Sequence, residues 1–416
     1  MQKFLHLADV HLDSTFLCRS ERLRARLRKE LRASLRRAID LAIKEKVTAV
    51  LIAGDLVDEK RLSAGTEMFL LEQFERLHQA QIPCVYVSGN VDPSVPTSKT
   101  LEMAWPSSFL HIKSRSPKII ELQDVDGSPI ARIVGAGHES TKEKENLAQR
   151  FPSAQDDVPY IGVLHAKVRS ASISEFSADI APAKLQDLRK PGYAYWALGH
   201  EHDMQAVKGL KNAWYPGSLM GTSPGETGLK GGLMVTIQDD QSLDVTFKAF
   251  SSVRWYDIVL HELQHVKDVE DLARLAELAF ELEAEEDDAI SLQMVRIRLA
   301  GMCPMAPELL VDTQRAVVEE KLAQHLNVDD VELRVNFVTP MVDVDAYRED
   351  AHMLSEVLKV IEDISGNPDL LDEIAPEQLA NQLATSEDRQ AYLSSLMNAL
   401  DREAIVRLTH EVHHAN

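Results

Sequence analysis

The chain has 416 residues, enough for two or three domains. Its composition, 44% hydrophobic and 27% charged, is that of a globular protein and excludes a disordered chain, a collagen-like repeat or a disulfide scaffold. No apolar run reaches membrane-spanning length, and the N-terminal stretch lacks the features of a signal peptide. The three cysteines, Cys18, Cys84 and Cys303, lie far apart in the sequence, so we expect a reducing, cytoplasmic location without membrane contact.

The formal net charge of -21 is unevenly distributed. From Asp257 onward there are 12 basic and 35 acidic residues, whereas the first 256 residues hold 33 basic and 31 acidic ones. One stretch in the first part is strongly basic, and two interpretations of it stay open: a solvated helix face or a surface that contacts phosphates. Its cations are Arg19, Arg22, Arg24, Arg26, Arg28, Lys29, Arg32, Arg36 and Arg37.

Predicted strands and helices alternate in the first part of the chain. Apolar runs predict strands at 4–8, Ala49–Ala53 and 83–88, and amphipathic patterns predict helices at 21–46 and 66–79. Strands dominate from 119 to 249. The pattern indicates an α/β domain whose large sheet content forms two layers.

A second pattern begins near residue 251. It predicts strands at 255–260, 290–299 and 331–337 and helices at Val269–Glu283 and 309–325, which together indicate a small α+β domain. From 351 onward the sequence is almost wholly helical, and these helices either close the preceding core or dock a partner. We therefore expect three regions: 1–250, 251–340 and a helical C-terminal region at 341–416.

Polar side chains follow the predicted strands at five places. They form the pieces Asp9-Val-His11, Gly54-Asp55, Gly89-Asn90, His165 and Gly199-His200-Glu-His202. Carboxylate, amide and imidazole ligands suit two first-row divalent ions better than a thiolate zinc site. Two such ions roughly 3.5–4 Å apart activate water and clamp a phosphate, and an aspartate can bridge them.

These pieces resemble the motifs of the calcineurin-like metallophosphoesterases and, within them, the SbcD/YhaO-type DNA-repair exonuclease family. Tyr215-Pro-Gly-Ser218 and Gly225-Glu-Thr-Gly228 add to the resemblance, which covers residues 1–250 and is weaker between 253 and 337. It implies a two-sheet sandwich flanked by helices, followed by a small α+β capping domain. It also implies a metal-dependent hydrolase, usually a manganese enzyme, that acts on DNA ends.

The resemblance also implies a ligand set and partners. One ion would be held by Asp9, His11 and His202, and the second by Asn90, His165 and His200, with Asp55 as the bridge. The expected cofactors are therefore two divalent ions, Mn²⁺ in first place. The expected partners are DNA and an SMC-like ATPase that engages sequence beyond the capping domain, and homodimers are common in the family.

Position 91 departs from the family pattern. The motif Gly-Asn-His-Asp reads Gly89-Asn90-Val91-Asp92 here, and the missing histidine is thought to stabilise or protonate the reacting phosphate. A valine cannot donate a proton, so chemistry should fall by roughly 10²–10⁴-fold while metal binding survives. The sequence is thus either a natural subunit with little activity or an engineered inactive form. His138 either reaches the site from another strand end or is structural.

Three functions follow from these observations. The leading hypothesis is a two-metal DNA phosphodiester hydrolase impaired at Val91. The alternatives are a non-catalytic DNA-end-binding subunit of an SMC-like ATPase complex and a phosphodiesterase for a small nucleotide. The sequence from His261 to His265 matches the HExxH zinc-protease motif, but it directly follows a predicted strand, so we set the protease aside.

Overall fold

The structure is a computed structural model of the chain that describes residues 1–16, 20–58, 60, 62–169, 181–284, 289–341, 347–348, 353–367, 370–371, 386–397, 400–402, 404–405 and 408. The chain forms two compact units. The first contains Met1–Trp255 and a short segment that ends at Gln293, and the second contains the residues from Tyr256 and from Met294 onward. The predicted division at 250 and 340 stays a prediction.

The described residues form seventeen strands and nine α-helices. The strands are β1 (Gln2–Leu7), β2 (Ala49–Ala53), β3 (Cys84–Val87), β4 (Phe109–Ile112), β5 (Lys118–Gln123), β6 (Pro129–Ala136), β7 (Tyr160–His165), β8 (Lys167–Arg169), β9 (Pro182–Lys184), β10 (Tyr195–Gly199), β11 (Gln205–Ala206), β12 (Ala213–Tyr215), β13 (Gly231–Ile237), β14 (Leu243–Ala249), β15 (Val253–Leu260), β16 (Leu292–Cys303) and β17 (Asp330–Pro340). The helices are α1 (Glu21–Glu45), α2 (Ala64–Gln79), α3 (Lys99–Glu102), α4 (Leu185–Arg189), α5 (Val269–Glu283), α6 (Ala306–Leu309), α7 (Asp312–His325), α8 (Met353–Ser365) and α9 (Ser386–Met397).

The first unit contains two six-stranded sheets. The first sheet has the order β14-β13-β1-β2-β3-β4, in which β1 to β4 are parallel and β13 is antiparallel to β1. The second has the order β11-β12-β10-β7-β6-β5, in which β6, β7, β10 and β12 are parallel. Parallel neighbours require crossover connections, and α1 and α2 supply two of them.

Apolar side chains from both sheets form one core, which confirms the predicted two-layer α/β architecture. Every residue of β2 is buried, as expected of a parallel strand covered on both faces. The core includes Phe4, Leu51, Val85, Ile133, Val163 and Ala197. A further small two-stranded sheet pairs β8 with β9.

The long helix predicted at 21–46 is confirmed as α1. Ser20 caps its N-terminus by accepting a hydrogen bond from the Leu23 amide, and Lys46 ends it in the left-handed conformation. Leucines at every fourth position form its buried stripe, and the cations lie on the remaining faces. These leucines are Leu23, Leu27, Leu31 and Leu35.

The second unit contains the predicted β-α-β-α-β arrangement. Its sheet has the order β15-β16-β17, with β16 parallel to β17, and helices α5 and α7 pack on it. The helix predicted at 309–325 is confirmed as α7, but it begins at Asp312 instead of Leu309. Val311 has an extended conformation and separates α7 from the short helix α6, whose first turn contains Pro307, where it costs no hydrogen bond.

Beyond residue 351 the described residues include the two helices α8 and α9, and many of the other residues predicted as helical lie outside the described part. Leu354 and Leu358 form a buried pair of positions on α8, as their spacing predicts. Among the described helices none combines the length and the apolar character that crossing a membrane requires.

Candidate metal centre

The polar loops predicted from the sequence leave the carboxyl ends of parallel strands. Asp9, Asp55 and Asn90 follow β1, β2 and β3 of the first sheet. His165 ends β7 and His200 follows β10 of the second sheet. Carboxyl ends of parallel strands share one edge of a sheet, which is where ligands bind in α/β proteins. The two sheets face each other, so the five loops meet.

Asp9, His11 and His202 form one group of ligand atoms, which we call the β1 half. The Nε2 atom of His202 lies 3.7 Å from Asp9 Oδ1, and that of His11 lies 4.0 Å from the same oxygen. The two Nε2 atoms are 3.3 Å apart. All three donor atoms lie within 4.8 Å of one another, a spacing that suits a shared cation.

Asn90, His165 and His200 form a second group, the β7 half. Asn90 Oδ1 lies 2.8 Å from His165 Nε2 and 3.1 Å from His200 Nδ1. The two ring nitrogens are 3.3 Å apart. The structure therefore brings together the three residues that the resemblance groups at the second ion.

The carboxylate of Asp55 lies between the two halves. Its Oδ2 atom is 3.5 Å from His165 Nε2 and 3.9 Å from His11 Nε2. The same side chain thus contacts both histidine sets, which is the position that a bridging ligand requires. All seven residues predicted as metal ligands converge in this one cluster.

The hydrogen-bond pattern fits a cation in this cluster. His165 Nδ1 lies 2.9 Å from the carbonyl oxygen of Ala53, which can only accept, so this nitrogen carries the proton. The lone pair of Nε2 then faces Asn90 Oδ1 and Asp55 Oδ2. Three acceptors that point at one another repel, and a divalent ion removes that repulsion.

Burial sets the protonation states. It lowers the pKa of His165 and of His200 to about 4, so both imidazoles are neutral ligands at pH 7. Burial and then the charge of Asp55 raise the pKa of Asp9. The charges of Asp9 and Asp55 thus oppose each other, and a cation between them would offset that repulsion.

Four of the seven residues have left-handed backbone conformations. Their φ angles are 48° for Asp9, 51° for His11, 52° for Asp55 and 104° for His200. Such conformations are costly for residues with a Cβ atom and cluster at functional sites. The loops therefore use local strain to aim these side chains into the cluster.

The glycines that precede the ligands are required by close packing. A Cβ on Gly89 would lie 2.1 Å from Asp55 Oδ1, and one on Gly54 would lie 2.3 Å from His165 Nδ1. Gly54 also has a φ of 89°. The two sheets can approach each other at Gly54, and the Asp55 and Asn90 loops can approach each other at Gly89, only because these positions have no side chain.

Asp92 is a supporting residue to which the sequence reasoning gave no role. It is fully buried, and its carboxylate accepts hydrogen bonds from four backbone amides. The donors include Asp55 N at 3.1 Å and Gly89 N at 2.8 Å. Asp92 thereby ties the Asp55 loop to the Asn90 loop, and burial with the charge of Asp55 raises its pKa to about 7.

Glu226 is a second functional residue that the sequence reasoning missed. Its Oε1 atom lies 3.3 Å from Nδ1 of His202, and Ser218 and Thr222 donate hydrogen bonds to its carboxylate. Burial lowers the pKa of His202, but the Glu226 hydrogen bond and nearby carboxylate charges raise it overall to about 9. The only sequence signal was the motif Gly225-Glu-Thr-Gly228.

Lys230 supports the same loop from behind. Its buried ammonium donates to the carbonyl oxygen of His202 at 2.8 Å and to Asp203 Oδ1 at 3.0 Å. The loop that carries His200 and His202 is thus fixed through both its backbone and its side chains.

Val91 lies at the cluster but offers it no polar side chain. Its backbone amide donates to Asp55 Oδ1 at 2.8 Å, so residue 91 helps to orient that carboxylate. His138 is fully buried and its Nε2 atom lies 2.8 Å from the carbonyl oxygen of His165, which it must donate to. This favours the structural interpretation of His138.

The HExxH sequence does not form a protease site. Glu262 has a φ of 59°, and only Leu263–His265 forms a short 3₁₀ turn. The motif requires both histidines on one face of an α-helix, so the prediction that no zinc protease is present here agrees with the described geometry.

Comparison with known proteins identifies the family. The model of the family described as calcineurin-like phosphoesterase matches residues 2–204. The metallophosphoesterase YhaO of Bacillus subtilis is 31% identical over 323 residues, which are 77% of this chain and 76% of the relative.

More distant relatives align with a smaller share of the chain. The DNA double-strand break repair protein Mre11 of Sulfolobus acidocaldarius is 25% identical over 207 residues, and the chain spans about half the length of that relative, 49%. A dimetal phosphatase from Danio rerio, 13% identical with a TM-score of 0.36, aligns with 60% of this chain and 96% of its own. The extent and identity of the YhaO match, together with the family model, show that the chain belongs to the calcineurin-like phosphoesterase family.

Proposed function

We propose that the protein is a metal-dependent phosphodiester hydrolase that acts on DNA. The observation that carries this proposal is the convergence of seven ligand side chains from five strand ends, with Asp55 between the two halves. We assign Asp9, His11 and His202 to one divalent ion and Asn90, His165 and His200 to the other. Carboxylate and imidazole donors suit Mn²⁺, which we propose as the metal.

The two ions, when bound, would lower the pKa of a water molecule and neutralise charge on the phosphate. The residues of the chain itself position the groups that would hold the ions. Asp92 holds the backbone of Asp55, the Val91 amide holds the Asp55 carboxylate, and the carbonyl group of Ala53 holds the ring of His165. His200 and Asn90 are the partly exposed members of the β7 half, so they are the residues placed to orient the scissile phosphate.

DNA as the substrate rests on the relatives and on the motifs. The Mre11 relative is named as a protein of DNA double-strand break repair, and it aligns with 48% of this chain. By analogy we also propose that the C-terminal helices dock an SMC-like ATPase and that the protein forms a homodimer.

A second candidate function is favoured by Val91. A valine neither donates a proton nor carries charge, so the protein would hold metal and DNA ends without cutting them. In that case it would be a non-catalytic DNA-end-binding subunit of an SMC-like ATPase complex.

Comparing the protein with a Val91→His variant distinguishes the two functions. The substrate is end-labelled linear duplex DNA in Mn²⁺, with bound metal measured in parallel. We expect histidine to raise cleavage by about 10²–10⁴-fold without changing the amount of bound metal. Equal cutting by both forms would contradict our account of position 91. If neither form cuts but both bind DNA ends, the binding-subunit function replaces the hydrolase.

A further inference from the structure

A groove lined by cations lies between α1 and α2 of the first unit. Its volume is about 500 Å³, and Arg28, Lys29, Arg32 and Arg36 of α1 line it together with Phe69 of α2. The three arginines recur at every fourth position, which places them on one face of α1. The groove therefore collects four of the nine cations that the sequence singled out between residues 19 and 37.

Small and aromatic side chains line the groove between the cations. Ala25 and Ala33 are the other lining residues from α1, and their small side chains leave the space between the cations open. The guanidinium of Arg36 lies over the ring of Phe69, with its central carbon 5.6 Å from the ring centroid. This cation–π contact holds the Arg36 side chain against α2.

The positive charge of the groove is poorly compensated. Within the described part of the chain, Arg28, Lys29 and Arg36 form no ion pair with a carboxylate, and Arg32 lies 3.4 Å from Asp13 Oδ1. Glu30 is the single acidic residue of α1 between 22 and 37, and it accepts a hydrogen bond from Ser252. Uncompensated cations that converge in a groove attract an anionic ligand.

Hydrogen bonds connect the groove to the loop that carries His11. Arg28 Nε donates to the carbonyl oxygen of Ser14, whose own amide donates to the carbonyl oxygen of His11. Arg32 donates to Thr66 at 2.6 Å, and Thr66 in turn donates to Asp13 at 2.7 Å. The groove thus begins where the first metal-ligand loop ends.

We propose that this groove binds the sugar–phosphate backbone of DNA, as a site separate from the metal centre. The inference rests on the proposed function, because it assigns the same substrate a second contact. Arginine guanidinium groups match phosphate oxygens in a two-pronged geometry. The helix rise separates Arg28, Arg32 and Arg36 by about 6 Å each, so the row is long enough to reach more than one phosphate of a DNA strand, whose phosphates are spaced roughly 3.4 Å apart along the duplex axis.

The test measures DNA binding by the full chain in EDTA, so that no metal ion contributes. Fluorescence anisotropy with a labelled linear duplex compares the protein with a triple variant, Arg28→Gln, Lys29→Gln and Arg36→Gln. Arg32 is left intact because it supports Asp13 and Thr66. The control carries Lys118→Gln, Lys142→Gln and Lys190→Gln, which remove the same charge from exposed positions of the same unit.

We expect the groove variant to bind duplex DNA at least about tenfold more weakly at 100 mM salt. Each lost phosphate contact lowers the slope of log affinity against log salt by about 0.9, so the slope should fall by about 2 to 3. The control variant should change the DNA affinity and the salt slope by much less. Hydrolysis of bis-p-nitrophenyl phosphate by the Val91→His form in Mn²⁺ should be the same with and without Lys29→Gln and Arg36→Gln, which leave the Arg28–Ser14 contact to the His11 loop intact.

Three results would overturn the inference, and they differ in what else they affect. If the groove variant binds DNA with unchanged affinity and salt slope, the groove does not bind DNA, but the proposed function stands. If the starting protein does not bind DNA, the groove and the DNA substrate both fail, and bis-p-nitrophenyl phosphate still reports on the metal centre. If the groove substitutions abolish a dimer and leave DNA affinity intact, the groove binds a second copy of the chain.

Discussion

The β1 half and the β7 half of the metal-ligand cluster are held in different ways. His165 of the β7 half has no exposed side-chain surface, and a backbone carbonyl fixes its tautomer. His202 of the β1 half is 35% exposed, and the charged side chain of Glu226 fixes its orientation. The orientation of His165 in the β7 half thus depends on burial and a backbone hydrogen bond, whereas the orientation of His202 in the β1 half depends on an ion pair.

This difference predicts that the two halves bind metal differently. The histidines of the β7 half have pKa values of about 4, so they are neutral and ready to bind at pH 7. His202, with a pKa of about 9, carries a proton at pH 7 that an arriving cation must displace. We expect the β7 half to take up its ion first.

Asp55→Ala should have the largest effect, because it removes the side chain that the two halves share. We expect the protein to lose both ions and all cleavage, since each half then has only three donors and no bridge. Metal content after dialysis, measured by mass spectrometry, reports the loss. Asp124→Ala, at an exposed loop position, is the matched control. Retention of two ions by Asp55→Ala would contradict the bridging assignment.

Glu226→Gln should weaken the β1 half alone. Loss of an outer partner of a metal-bound histidine typically costs 10–100-fold in metal affinity. Calorimetric titration with Mn²⁺ should show one weakened site and one unchanged site. Glu72→Gln, an exposed position on α2, serves as the control. Equal weakening of both sites would mean that the halves are not independently held.

The pH dependence of metal binding should also differ between the halves. Because the pKa of His202 is raised to about 9, metal affinity of the β1 half should rise about tenfold per pH unit from pH 7 toward 9 and then level off. The β7 half should change little in this range, since its histidines are already neutral. Calorimetry in buffers of different ionisation enthalpy counts the protons released. Equal slopes of metal affinity against pH at both sites would contradict the assignment of His202 to the β1 half alone.

The ion pair between His202 and Glu226 also affects the stability of the metal-free protein. The raised pKa of His202 contributes stability that is fully present below its unfolded pKa of about 6.5 and is lost as pH rises through about 9. The lowered pKa of Glu226, about 2, contributes stability above pH 4.5 that is lost as pH falls through 2. Thermal unfolding in EDTA between pH 6 and 10 should therefore show a decline that Glu226→Gln removes.

Most of the fold could be predicted from local sequence patterns. Strands β2 and β7 are continuous apolar runs, and the leucine spacing of α1 fixes both its extent and its buried face. The seven clustered residues were predictable because each lies at or shortly after the end of a strand, and parallel strands bring their carboxyl ends together. The break before α7 was missed because helical periodicity continues across it.

The supporting residues could not be predicted from spacing. Glu226 lies on the loop between β12 and β13 and reaches His202 only through the folded chain, 24 positions apart in sequence. Asp92 was visible as part of a motif, but its four amide contacts depend on two loops meeting. Residues that act through another residue leave no periodic signal.

The central claim is that Asp55 is shared between two cations, and diffraction tests it most directly. Crystals of the full chain grown in Mn²⁺ and measured at the manganese absorption edge would locate each ion by its anomalous signal. We predict two peaks, one within bonding distance of Asp9, His11 and His202, the other of Asn90, His165 and His200, with Asp55 contacting both. A single peak, or two peaks without Asp55 between them, would contradict the account.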